Sequence, residues 1–310
     1  MSAPARRVWA ALGVVYFVWG STYLGIKVAV ETLPPLLAAG TRFLAAGALL
    51  SLVLALRGRS LRISARDLLS CAVAGLLLLT LGVGVVHIAE TRIDSSVAAM
   101  IAGTVPLQVI LMRNATGDRV SRSMRLGTLV GLVGLGLVVL PGLGSGSTAV
   151  GLLVMICASV SWSVGSFLSP RLTMPRDPFV ASAYEMLGGG VFLTSAALVL
   201  GQWRDLGGGI AARSVGAWAY LVIAGSIVGF TAYAWLLRVA PISLVVTHQY
   251  VNPLVAIALG MVFLGERPSL FALVGAALVV GAVYVAVRSE SRARAPVLPL
   301  RGEEPADQTA

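Results

Sequence analysis

Long apolar stretches alternate with short polar breaks along the whole chain. A helix must place about 20 apolar residues in a row to cross a hydrocarbon core about 30 Å thick. Runs of that kind fall at residues 8–30, 34–56, 67–89, 95–112, 124–141, 149–170, 179–200, 216–237, 242–264 and 269–287, the fourth and fifth being the shortest. The breaks between them are too brief to hold a soluble domain. The pattern predicts an all-α integral membrane protein with ten transmembrane helices. Residues 288–310, "RSESRARAPVLPLRGEEPADQTA", lose the apolar pattern and read as a disordered tail. The opening "MSAPARRVWAALGVVYFVWGS" carries two arginines ahead of an apolar run, as a signal peptide would. The run is longer than a signal core and has no convincing small-x-small cleavage site, so a retained first helix is expected.

Composition excludes the soluble alternatives. Of 310 residues, 57% are hydrophobic and 12% charged, with a mean hydropathy of +0.91. No water-soluble fold of this size can hide that much apolar surface. A net charge of +10 could suggest nucleic acid, but that partner needs basic residues clustered on a solvated domain face. Here the arginines sit in the breaks, and their distribution sets orientation instead, since cytoplasmic breaks carry the excess of positive charge. With the N-terminus inside, one side collects Arg6, Arg7, Arg57, Arg59, Arg62, Arg66, Arg113, Arg119, Arg122, Arg125, Arg171, Arg176, Arg238 and the arginines of the tail. The other side holds Arg92, Arg204, Arg213 and Arg267. The expected location is the inner (plasma) membrane, with both termini cytoplasmic. Cys71 and Cys157 each lie inside an apolar run without CxxC spacing and read as small packing residues.

The two halves echo each other. Trp19 with Trp162, Pro35 with Pro178 and Arg42 with Glu185 share one offset. Pro106 with Pro253 is offset by 147, and "GDR" at 117–119 with "GER" at 265–267 and Gly127 with Gly275 by 148, both slightly longer. Five runs per half is an odd number, so the second copy enters the membrane from the opposite side. The expected domains are a first repeat at 8–141, a second at 149–287, and a cytoplasmic tail at 288–310. A 5+5 inverted-topology repeat places a substrate site near the bilayer midplane and exposes it alternately to each side. A duplicated bundle kept only for packing is the plainer alternative.

At these residues the sequence resembles the EamA family of the drug/metabolite transporter superfamily, and within it the YedA-like members. The first half carries Trp19, Gly20, Ser21, Thr22, Lys27, Pro34, Pro35, Arg42 and Phe43 in the order of the family's W-G-S-T…K…P-P…R-F pattern. The second half carries "AYEMLGGGV" and "YAWLLRVAPISLVVTHQYVNPLVAIALGMVFLGERPSL". The resemblance covers roughly residues 8–287 and departs at "LMRNATGDRV", where polar residues replace the usual apolar run. It implies ten helices in a 5+5 repeat and a secondary carrier that often exports amino acids or other small metabolites.

Seven residues past Pro35, Arg42 lies about 10 Å into its helix. A guanidinium at that depth must face protein or water. It can clamp a substrate carboxylate through two parallel hydrogen bonds, or serve structure and gating. Glu185 is the one carboxylate well inside a run; it is a candidate proton-coupling residue or a hydrogen-bonded packing group. Trp19 and Trp162 fall near the centres of their helices, as cavity walls or core. His248, Tyr250 and Asn252 precede Pro253, whose missing N–H frees a backbone carbonyl that can line a cavity. These three are candidate substrate contacts beside Trp19, Arg42 and Trp162. Lys27, the only lysine, is expected to snorkel to the outer interface, and His87 is a weaker candidate. Gly127, Gly131, Gly134 and Gly136 form a small-residue ridge for helix packing.

The function these features predict is secondary active transport of small organic metabolites, with export of amino acids or related solutes by alternating access and proton coupling as an option. A multidrug or amphiphile efflux carrier of the same fold is the alternative. An intramembrane enzyme would need paired carboxylates, a nucleophile with its base, or a metal cluster within the spans. A channel would need a repeated pore-lining ring. No catalytic residue, metal ligand or cofactor is expected, and no GxxxxGK[ST] is present to bind ATP. The partners expected are a small-molecule substrate and the lipid bilayer, in a monomer or homodimer.

Overall fold

The computed structural model describes residues 5–117, 122–142, 146–240, 245 and 248–293. Among these residues the chain is helical, without strands. The helices are α1 (Ala5–Ala29), α2 (Pro35–Leu56), α3 (Ala65–Ala89), α4 (Ser95–Ala115), α5 (Arg122–Val139), α6 (Gly146–Leu168), α7 (Pro178–Val199), α8 (residues 212–239), α9 (His248–Phe263) and α10 (Leu270–Ala293). Seven of them are long and apolar enough to cross a membrane: α1 to α4 and α6 to α8. The apolar portions of α5, α9 and α10 are shorter.

Local chemistry explains the helix starts. Proline occupies the first position of α2 and of α7, where its missing N–H costs nothing. Asp177 then caps α7 by accepting from the Phe179 N–H at 3.0 Å. The first N–H groups of α2 find a partner far off in sequence: Gln202 Oε1 accepts from Leu36 and Leu37. Ser64 and Asp67 form a reciprocal capping box at α3. The polar "MRNA" does not shorten α4, which runs to Ala115 and stops at Gly117, a glycine in the left-handed region at φ +87°. Beyond the expected end of the last apolar run, α10 continues through residues 288–293, because nothing in "RSESRA" breaks a helix. The rest of the expected tail, residues 294–310, lies outside the described residues, as do 118–119 of "GDR".

Three helices depart from regular pitch. Within α3, Gly75–Gly84 winds with the wider i→i+5 turn, and Leu221–Val228 does the same within α8. The α4 helix is interrupted at Gly103 and Thr104, one turn before the point where Pro106 removes a donor. Pro253 lies inside α9.

Packing is pairwise. The α2 helix runs along α7 and α5 runs along α10, while α1 lies against α8 and α9. The α5–α10 crossing depends on two glycines that face each other. A Cβ on Gly134 would stand 2.7 Å from the Gly275 carbonyl oxygen, and one on Gly275 would meet the Gly134 carbonyl. Gly127 faces Ala282 in the same way, whereas Gly136 faces open space. Most of the expected ridge is therefore a helix–helix contact, as small residues permit in lipid. The outward faces carry exposed Leu52, Leu56, Leu129, Leu153, Val191, Val262, Phe263, Leu270 and Phe271. So much contiguous apolar surface marks a face that meets lipid.

Candidate functional site

A cavity lies among α1, α2, α3, α4, α6, α8 and α9, with about 860 Å³ of unfilled space including its mouth. Trp19, Thr22 and Tyr23 enter from α1, Arg42 and Phe43 from α2, and Gly82, Val83 and Val86 from α3. Trp162 and Ser159 come from α6, Gly225 and Phe230 from α8, and His248, Asn252 and Pro253 from α9. Its walls are thus largely aromatic and aliphatic, with a few polar groups among them.

Arg42 does not snorkel. It is 3% exposed and turned toward α8, where its Nε donates to Ser226 Oγ at 3.1 Å. The guanidinium carbon lies 5.0 Å from the centroid of the neighbouring Phe43 ring, close enough for cation–π attraction. Its Nη1 is buried without a hydrogen-bond partner among the described residues. A buried guanidinium with an open donor has a strong demand for an acceptor.

Trp19 is fixed by its Nε1, which donates to the Gly225 carbonyl at 3.2 Å. Its ring meets Phe230 and His248 edge to face and Tyr233 at a tilt, with centroids 5.0 to 5.4 Å apart. His248 is held by the Val245 carbonyl through Nδ1 at 2.9 Å. Asn252 Oδ1 is a second buried polar atom without a partner among the described residues, here an acceptor. Behind the α6 wall, Gln108 of α4 donates to Ser159 Oγ and accepts from Ser163 Oγ, so the α4–α6 contact is a satisfied polar network.

The cavity therefore gathers Trp19, Arg42, Trp162, His248 and Asn252. The side chain of Tyr250 lies outside the described residues. Glu185 is not among the lining groups; it lies on the face of α7 that packs against Cys71 and Gly75 of α3. His87 is fully buried, with Nδ1 on the Val83 carbonyl at 3.1 Å. The Lys27 Nζ donates to the carbonyls of Glu90 and Ile93, both at 2.7 Å, and so ties the end of α1 to the α3–α4 connection. Ser226, Tyr23 and Phe230 escaped sequence reasoning, because a serine or phenylalanine inside an apolar run gives no sign of which neighbour it meets.

A model of the EamA-like transporter family matches residues 8–140 and again 149–288. The "uncharacterized inner membrane transporter YedA" of Escherichia coli (strain K12) is 38% identical over 267 residues, 84% of each chain. The "uncharacterized transporter YvbV" of Bacillus subtilis (strain 168) is 26% identical and covers 94% of both chains. One solved crystal structure superposes with a TM-score of 0.65 at 21% identity, covering 92% of this chain and 99% of that one, which speaks for the fold alone. A multi-pass helical protein with matches of this extent belongs to the EamA-like transporter family.

Proposed function

We propose that this protein is a secondary carrier that exports amino acids or related carboxylated solutes across the inner membrane by alternating access. The observation that carries the reading is the open Nη1 donor of the buried Arg42 in the cavity wall. A carboxylate is the ligand group that matches a guanidinium fork. Asn252 Oδ1 offers an acceptor to an ammonium, and Trp19, Phe43, Trp162 and Phe230 suit an apolar side chain. A buried arginine disfavours an amphiphilic cation, the cargo of the multidrug alternative. The inner membrane location rests on the name of the Escherichia coli relative.

Alternating access draws support from the pairing of the halves. The family model matches twice, at 8–140 and 149–288. Both α2 and α7 open on proline and pack on each other, α5 packs on α10, and α3 and α8 each carry a wide-turned stretch. Ten helices in two inverted repeats, 8–141 and 149–287, account for these pairings. The arginine distribution then puts both termini in the cytoplasm. Coupling to protons through Glu185 would have to act by way of the α3–α7 contact, since its carboxyl stands off the cavity.

Counterflow in proteoliposomes tests the reading. Vesicles loaded in turn with amino acids, nucleosides and amphiphilic cations should exchange the first class. Arg42→Ala at normal membrane abundance should weaken that exchange about tenfold to a hundredfold, as loss of a charge-assisted contact implies. Exchange confined to cations or nucleosides, or undiminished in Arg42→Ala, overturns it.

A further inference from the structure

A second set of ionisable groups lies apart from the cavity, at the end of the molecule where α1 finishes. Glu90 follows α3, Asp94 precedes α4 and Glu266 follows α9. Two of these carboxylates are buried, and they are treated in opposite ways. Glu266 is fully engaged: its Oε1 accepts from the Ser95 N–H and Ser95 Oγ, both at 2.7 Å, and its Oε2 accepts from the Ser96 N–H at 3.0 Å. The carboxylate thus closes the N-terminus of α4, where the helix dipole and free N–H groups stabilise negative charge. It also ties the α9–α10 connection to the start of α4, where the α3–α4 connection ends.

Glu90 has 0% exposure, and neither carboxyl oxygen has a hydrogen-bond partner among the described residues. Tyr23 and Lys27 face it from α1, and Glu266 faces it from the α9–α10 connection. The Lys27 ammonium is already committed to two backbone carbonyls, one of them that of Glu90 itself. On its own connection Arg92 and Asp94 are exposed, and one turn back His87 faces Arg42 of α2. The α6 helix packs against residues 89–93 at Gly151 and brings no acid, base or histidine. Burial, reinforced by Glu266 and opposed by Lys27, holds the Glu90 carboxyl well above the usual carboxylate range. An unpaired carboxylate in so closed a place is more costly than the neutral acid.

We infer that Glu90 is a proton-binding site whose occupancy is linked to closure of this end of the carrier. When the α3–α4 and α9–α10 connections close on one another, the carboxylate takes a proton from water. When they part, water reaches the group and the proton returns. The arginine distribution puts this end outside, so closure of the carrier toward the outside takes up an external proton. This rests on the carrier reading above, but not on which solute is carried. The direction with pH follows from the raised value of the closed form. The closed form is fully favoured below the ordinary carboxylate range and loses ground as pH rises through its own higher value.

Spin labels at Thr91 and Arg267, both exposed and on the two connections, read the motion directly in the full chain in nanodiscs, with Cys71 and Cys157 replaced by serine. Electron–electron distance measurements from acidic to alkaline pH should show a short separation giving way to a longer one. Glu90→Gln should hold the short separation throughout. A distribution unchanged by pH in the parent chain, or an unaltered pH response in Glu90→Gln, overturns the assignment. Infrared spectra of the Glu185→Gln chain give a second measurement that leaves Glu90 in place. A protonated-carboxyl C=O band should fade over the same pH range, and its absence overturns the assignment too. Loss of amino acid exchange with the pH response intact would sink the proposed solute and leave this site standing.

Discussion

Single side chains in this protein carry obligations that their neighbours in sequence do not show. Arg42 was legible as a buried cation, because seven residues past a helix-starting proline fixes depth at 1.5 Å per residue. Depth is not direction. Glu185 stands at the matching distance from Pro178, yet α7 gives the cavity no lining residue, and Glu185 packs against Cys71 and Gly75 of α3 instead. Lys27 shows what depth leaves out. Its place near the end of α1 predicts an interfacial charge, but not that two backbone carbonyls of the α3–α4 connection hold its ammonium. Lys27→Met keeps the length of the side chain and removes those two bonds. It should destabilise the purified protein by about 1–3 kcal/mol, read as a lower thermal midpoint in detergent. An unchanged midpoint would mean that water serves those carbonyls equally well.

Helices were the most readable level. Their positions follow from the length of apolar runs, and the small-residue ridge of α5 follows from glycine spacing. The pairing of those ridges did not follow: nothing in "GTLVGLVGLG" says that Gly134 meets Gly275 rather than another helix. The apolar run of α4 ends at residue 112, but the helix continues through the polar Arg113 and Asn114 to Ala115, just before Gly117. Gly134→Leu should drive α5 and α10 apart, with an overpacking cost of about 1–3 kcal/mol or more. Thermal unfolding should show that loss, while Gly136→Leu, which faces open space, should be close to neutral. Equal effects at the two positions would break the proposed link between the glycine and the crossing.

Across the whole molecule, the apolar exterior and the paired halves lead to one test of architecture. Reporter fusions in the connections at 142–148 and 171–177 should report opposite sides of the membrane, and fusions on one side would end the inverted-repeat proposal. Sequence offsets made the duplication readable. The cluster around Glu90 and Glu266 was not, because it joins positions far apart in the chain and one of them, "GER", looked like no more than a repeat marker. The wide-turned stretches of α3 and α8 flank the cavity from two directions, through Gly82 and Gly225. Each holds slack: one residue's worth of rewinding to ordinary pitch would swing everything beyond it by about 100° without breaking the helix. Such a rotor could remove the Ser226 hydroxyl from Arg42 and the Gly225 carbonyl from Trp19 in one movement.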